Sequence, residues 1–193
     1  MISLAKAGKR VVRLKGGDPM IFGRGGEELA ACRAAGLAVE VVPGITAAQG
    51  AASRLGVALT HRSAARRLQY VTGHGADGKL PRDIDWGAIA DPTATTVVYM
   101  PARTLAELAA TGIANGLDPA TPAVAMVKAT HPGEAVVAAS IRDLPARLRE
   151  LPPGPVLVMI GKVFAEIASV APSDTAASES AWLDQDPTSV HHR

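Results

Sequence analysis

Apolar residues along the chain fall into short runs separated by glycine, proline and polar breaks. Residues 9–14, 37–42, 68–72, 95–100, 123–128, 135–140 and 156–160 are rich in Val, Ile, Leu and Thr without a helical period, and this pattern predicts strands. The stretches between them predict helices: 2–7 closed by Gly8, 27–35 stopped by Gly36, a small-residue helix from Thr46 to Leu55 ended by Gly56, then 85–90, a helix from Thr104 to the stop at Gly116, 141–151 and 162–169. Thr46-Ala47-Ala48-Gln49 and Thr104-Leu105-Ala106-Glu107 both match a capping box, in which the hydroxyl and the side chain three residues later satisfy orphan backbone N–H groups. Runs 123–128 and 135–140 are joined through Thr130-His131-Pro132-Gly133, which predicts an antiparallel hairpin with a turn longer than two residues. The run at 9–14, the helix after it and the run at 37–42 read as a strand–helix–strand unit. Strands alternating with helices, plus one hairpin, define the α/β class with a mixed sheet in the second half.

The strand at 9–14 breaks into Lys15-Gly16-Gly17-Asp18-Pro19-Met20-Ile21-Phe22-Gly23-Arg24-Gly25-Gly26-Glu27-Glu28. Gly, Asp and Pro are ordinary turn residues, and a Gly-Gly-Asp-Pro run alone is a turn. Five glycines in this one connection are far more backbone freedom than a turn requires. Glycines at the end of a strand let a ligand approach the backbone where a Cβ would clash. The spacing fits neither G-x-x-x-x-G-K-[ST] nor a G-x-G-x-x-G directly after the strand, so a nucleotide phosphate loop is disfavoured. Asp18 suits a ligand with a cationic or hydroxyl-rich part.

These residues carry a family resemblance. The segment from Lys15 to Glu28 resembles the signature of the tetrapyrrole methylases, and further matches follow in order: Val42-Pro43-Gly44-Ile45-Thr46-Ala47, Val57-Ala58-Leu59-Thr60-His61-Arg62, Val71-Thr72-Gly73-His74, Val98-Tyr99-Met100 and Gly161-Lys162-Val163. The likeness spans roughly residues 4–165, and several motifs in order are more specific than one. Within the family, Gly23-Arg24-Gly25-Gly26-Glu27-Glu28 favours the branch that methylates uroporphyrinogen III.

The resemblance implies two α/β domains with the cofactor cleft between them, the first domain incomplete: 1–60 as the remnant of an N-terminal domain, 61–169 as a C-terminal domain, and 170–193 as a disordered tail. It implies S-adenosylmethionine as cofactor, held by Gly16, Gly17, Asp18, Ile21, Thr46, Ala47, Met100 and Ala129. The implied activity is C-methylation of uroporphyrinogen III on the way to siroheme or cobalamin, by a homodimer. A macrocycle bearing many carboxylates calls for guanidinium forks, and Arg24, Arg62, Arg66 and Arg103 are the candidates. His61, His74 and His131 are candidate proton relays, and their spacing matches no metal site. Relatives begin with a strand and a Gly-x-Gly-Pro-Gly-Asp loop, so the catalytic acid and base are expected upstream of Met1 and no catalytic residue is assigned. A catalytically inactive remnant that binds a partner subunit, and a methylase of another corrin-ring position, stay open as alternatives.

Composition narrows the setting. With 193 residues, 48% hydrophobic and 20% charged, the chain is of ordinary globular make-up. A single cysteine, Cys32, excludes an intrachain disulfide and fits a reducing compartment, hence a cytoplasmic location. No apolar run is long enough for a membrane span, so no membrane partner is expected. The net charge of +2 is modest, aromatics are 3%, and basic residues are scattered singly, which argues against nucleic acid.

Overall fold

The computed structural model describes residues 1–169, and the predicted tail at 170–193 lies outside them. Five strands form one mixed sheet: β1 (Arg67–Thr72), β2 (Ala94–Tyr99), β3 (Pro122–Val127), β4 (Ala135–Ser140) and β5 (Val156–Ile160), in the order β1-β2-β5-β3-β4. β1 and β2 are parallel, and β5 runs antiparallel to both β2 and β3. Consequently β1, β2 and β3 point the same way, and their carboxyl ends open on one edge of the sheet. The predicted hairpin is present as β3 and β4, paired from Pro122 with Ser140 to Val127 with Ala135.

Alternation along the central strands explains the layers. Val98, Ala123, Ala125, Val158 and Ile160 face one way and pack with Ile89, Leu105, Leu108 and Leu144. Those partners come from α4 (Trp86–Ala90), α5 (Leu105–Ala114) and α6 (Leu144–Leu148). Val97, Tyr99, Val124, Met126, Leu157 and Met159 face the other way, against Ala48, Ala51 and Ala52 of α3 (Ala47–Leu55) and against Phe164. Phe164 sits in a short 3-10 turn that leads into α7 (Ala165–Ser169). A strand buried on both faces reads as a continuous apolar run, because neither set of side chains meets water. Small alanines let α3 lie close on the sheet, and Thr46 caps it as expected: its hydroxyl accepts the Gln49 N–H, and the Gln49 amide oxygen accepts the Thr46 N–H. Gly56, at φ 65°, ends it in the left-handed conformation.

Four expectations are corrected. Residues 9–14 and 37–42 are extended but belong to no ladder, so the strand–helix–strand unit does not form. What lies between them is α2 (Gly25–Ala34) alone, with α1 (Ile2–Lys6) ahead of both runs. An extended segment becomes a strand only by pairing its N–H and C=O groups with a neighbour, and no neighbour reaches these two among the described residues. Their side chains are correspondingly open, with Val12 at 80%, Leu14 at 85% and Val42 at 74% exposure.

The second capping box does not form either. Thr104 precedes α5, but its buried hydroxyl donates to the carbonyl of Gly73 at 2.5 Å instead of serving the helix. Lastly, helix 141–151 contracts to the five residues of α6, with Pro145 in its first turn and Asp143 before it bonded to Ser140.

Candidate functional site

A cavity of about 1070 Å³ lies at the carboxyl ends of β2 and β3 and the start of β5, roofed by the glycine loop and the first turn of α3. Ligands of open α/β sheets bind at the carboxyl ends of parallel strands, where loops diverge. At that edge Met100, directly after β2, and Lys128, directly after β3, both adopt left-handed backbone angles, φ 58° and 52°. L-residues rarely hold this conformation unless their surroundings impose it, and such positions cluster at ligand sites. The turn lets each chain leave the sheet abruptly, which opens the space between the two strands.

The glycine loop is fastened at three points. Asp18 accepts the backbone N–H of Met20 at 2.8 Å with one oxygen and that of Gly44 at 3.0 Å with the other. These two bonds, the one from Gly44 foremost, hold its carboxyl below the usual aspartate range. Phe22 lies with its ring centre 4.9 Å from that of Tyr99, which itself meets Tyr70 edge-on at 5.7 Å. Finally, Lys15 reaches back to the Gly23 carbonyl and to Glu28. Close backbone approach explains Gly44: a Cβ there would lie 2.5 Å from the carbonyl oxygen of Gly17. At Gly16, by contrast, a Cβ would meet nothing within 4 Å, so the glycine leaves open space beside the cavity.

Tyr99 joins loop, sheet and helix. Its hydroxyl accepts the Ala48 N–H at 3.3 Å, one of the donors that the start of α3 leaves without an intrahelical partner. Burial pushes its phenol pKa up, so it remains a neutral hydroxyl. Beside it, the ring Nδ1 of His74 is 2.9 Å from the Met100 carbonyl; a carbonyl only accepts, so this nitrogen carries the proton.

The positions implied by resemblance sit as follows. Gly16, Gly17, Asp18, Ile21, Thr46, Ala47, Met100 and Ala129 all line this cavity, although they come from four separate stretches of sequence. Of the four arginines only Arg103 does. Arg62 and Arg66 line a separate shallow cavity of about 340 Å³ with His61, while Arg24 lines neither and pairs with Glu27. His74 and His131 are on the main cavity. Sequence reasoning missed Phe22, Tyr99 and Lys128, because an aromatic or a lysine near a strand end is too common to single out and only the shared cavity marks them. It also missed Lys15, which does not line the cavity and is marked by its bonds to Gly23 and Glu28. Among the described residues no cluster of His, Cys, Asp and Glu could hold a metal ion, and no helix is long and apolar enough to cross a membrane.

A sheet whose strand ends, glycine loop and helix start converge on one cavity defines a small-molecule-binding α/β protein. Comparison with known proteins narrows the class. The family model of the Tetrapyrrole (Corrin/Porphyrin) Methylases matches residues 1–145, and the chain belongs to that family. It is 46% identical over 167 residues to the uroporphyrinogen-III C-methyltransferase of Paracoccus denitrificans, covering 86% of this chain and 58% of that protein. Against the siroheme synthase of Gluconacetobacter diazotrophicus the identity is 46% over 165 residues, covering 84% of this chain and 35% of the relative. The chain thus spans between about a third and three fifths of the length of these relatives. Among solved structures, the uroporphyrin-III C-methyltransferase of Thermus thermophilus in complex with S-adenosylhomocysteine superposes with a TM-score of 0.73 at 36% identity, covering 86% of this chain and 71% of that one. A cobalt precorrin-4 methyltransferase, 24% identical with a TM-score of 0.73, shares the fold.

Proposed function

We propose that this chain supplies the S-adenosylmethionine site, and part of the substrate surface, of a uroporphyrinogen-III C-methyltransferase acting toward siroheme or cobalamin. One observation carries the reading: Gly16, Gly17, Asp18, Ile21, Thr46, Ala47, Met100 and Ala129 line one cavity. The space suits such a cofactor, because its volume exceeds that of a typical small-ligand pocket and its walls are mostly backbone, alanine and apolar side chains. When bound, S-adenosylmethionine supplies an activated methyl on a sulfonium, which passes to a ring carbon as the C–S bond breaks and a neutral thioether is left.

Such a transfer asks the protein chiefly for alignment and exclusion of water, which can lower the barrier by several kcal/mol, about 7 or more in well-oriented cases. Gly16 and Gly17 admit close backbone approach, Asp18 holds that loop against the turn at Gly44, and Phe22 with Tyr99 forms an apolar wall. Arg103, Lys128, His74 and His131 put basic groups around the cavity, and they fit a polycarboxylate macrocycle. Arg62 and Arg66, on the shallow cavity, are secondary candidates for outer carboxylates, and Arg24 is the weakest of the four because Glu27 already neutralises it. No acid or base is assigned. The same reading divides the protein near residue 60 and makes it a cytoplasmic homodimer.

Calorimetric titration of the chain with S-adenosylmethionine and S-adenosylhomocysteine tests the proposal. Micromolar binding that Gly16→Val removes supports it; no binding, or binding that the substitution leaves unchanged, overturns it.

A further inference from the structure

The glycine loop is drawn together at its root, where one ammonium group bonds both its return segment and the helix that follows. The side chain of Lys15 is only 12% exposed. Its Nζ donates to the carbonyl of Gly23 and, at 2.9 Å, to Oε2 of Glu28, on the first turns of α2. Arg13 Nε approaches the other carboxylate oxygen at 3.3 Å, so Glu28, at the loop's exit, is shared by two basic residues at its entry. Gly23 leaves the ammonium its room: a Cβ there would lie 3.4 Å from both Cε and Nζ of Lys15 and 2.9 Å from the Pro19 carbonyl oxygen. At Gly25 a Cβ would come within 2.5 Å of that same oxygen. The carbonyl of Pro19 is therefore folded inward against the two glycines while Lys15 ties the loop's entry to its exit.

We propose that Lys15 is the positioning residue of the cofactor loop, acting through the Gly23 carbonyl and Glu28 to hold Gly16, Gly17 and Asp18 in their binding arrangement before the ligand arrives. This rests on the reading of the cavity as the S-adenosylmethionine site. Glycines are the residues that lose most conformational freedom on ordering, so an unclasped loop would have to be ordered by the ligand and would bind it more weakly. Lys15 belongs to neither hydrophobic core, and its side-chain bonds go to Gly23 and Glu28, so the effect falls chiefly on the loop.

Titration of the full chain and its variants with S-adenosylhomocysteine, alongside thermal melting and trypsin cleavage after Arg24, tests this. Lys15→Met is expected to weaken binding about tenfold with only a small fall in melting temperature, because ordering of a flexible loop on binding lowers affinity while the lost, partly exposed pair with Glu28 contributes little to stability. Cleavage after Arg24 should quicken in that variant and slow again at saturating ligand. Glu28→Gln, which spares the bond to Gly23, should have a smaller effect, and Lys15→Arg should recover most of the affinity. Unchanged affinity in Lys15→Met, a loss that Lys15→Arg shares in full, or cleavage after Arg24 no faster than in the unsubstituted chain overturns the inference. Failure of the unsubstituted chain to bind would overturn the cofactor reading itself, and the inference with it.

Discussion

Asp18 accepts the backbone N–H of Gly44, 26 residues further along the chain, at 3.0 Å, while its other oxygen accepts the N–H of Met20 at 2.8 Å. One carboxylate thus shapes its own turn and joins the glycine loop to the turn before α3.

Acid should loosen this joint. The bond from Gly44, followed by that from Met20, lowers the carboxyl below its ordinary value of 3.8. A group whose folded pKa is depressed adds stability that is present above its unfolded value and is lost as pH falls through the folded value. Melting temperature should therefore decline below about pH 4, and Asp18→Asn, which cannot be recharged, should flatten that decline. Glu27 and Glu28 are lowered too, chiefly by their bonds to Arg24 and Lys15, so a residual slope will remain. Parallel pH curves for the two proteins would show that the Asp18 bonds contribute nothing.

Gly44, which packs on the loop, and Gly16, within it, should respond differently. Gly44→Ala places a methyl 2.5 Å from the Gly17 carbonyl oxygen, and the loop must move. Overpacking of this kind costs about 1–3 kcal/mol, so both melting temperature and cofactor affinity should fall. At Gly16 an added Cβ has open space around it, so Gly16→Val should melt with the unsubstituted chain, losing affinity alone. Equal stability losses in the two variants would contradict the geometry.

Thr104 and Glu107 separate the capping box that the sequence predicts from the contact the fold makes. Thr104→Val removes the donor to the Gly73 carbonyl and leaves that carbonyl short of a partner, at a cost of about 1–3 kcal/mol. For a chain of this size each kcal/mol is about 2–4 °C in melting temperature. Glu107→Ala should change it by less than about 1 °C, since an exposed side chain outside a cap contributes little. A matching loss in both variants would restore the capping box.

Residues 9–14 and 37–42 present unpaired backbone and open Val12, Leu14, Val39 and Val42 side chains, and such edges recruit other chains. Light scattering on the purified chain should show concentration-dependent self-association, reduced by the double substitution Val12→Lys and Leu14→Lys. A monodisperse monomer at all concentrations would rule the surface out as sticky.

What could be read from the sequence is what neighbours within about four residues decide. Thr46 and Gln49 settle the start of α3 between themselves, Gly8, Gly36, Gly56 and Gly116 stop helices because only they enter the left-handed region freely, and 156–160 is apolar enough on both faces to be a central strand. Recognition of ordered motifs added eight expected cofactor positions as contacts of one ligand; the cavity that they share is a property of the folded chain. Whether residues 9–14 and 37–42 become strands depended on partners distant in sequence, and local preference could not supply them. Where the Thr104 hydroxyl goes, which arginine reaches the cavity, and that Lys15 and Asp18 fasten the same loop were likewise decided only in three dimensions. Each turns on atoms that the folded chain brings within about 3 Å of one another, the range over which a hydrogen bond has its strength.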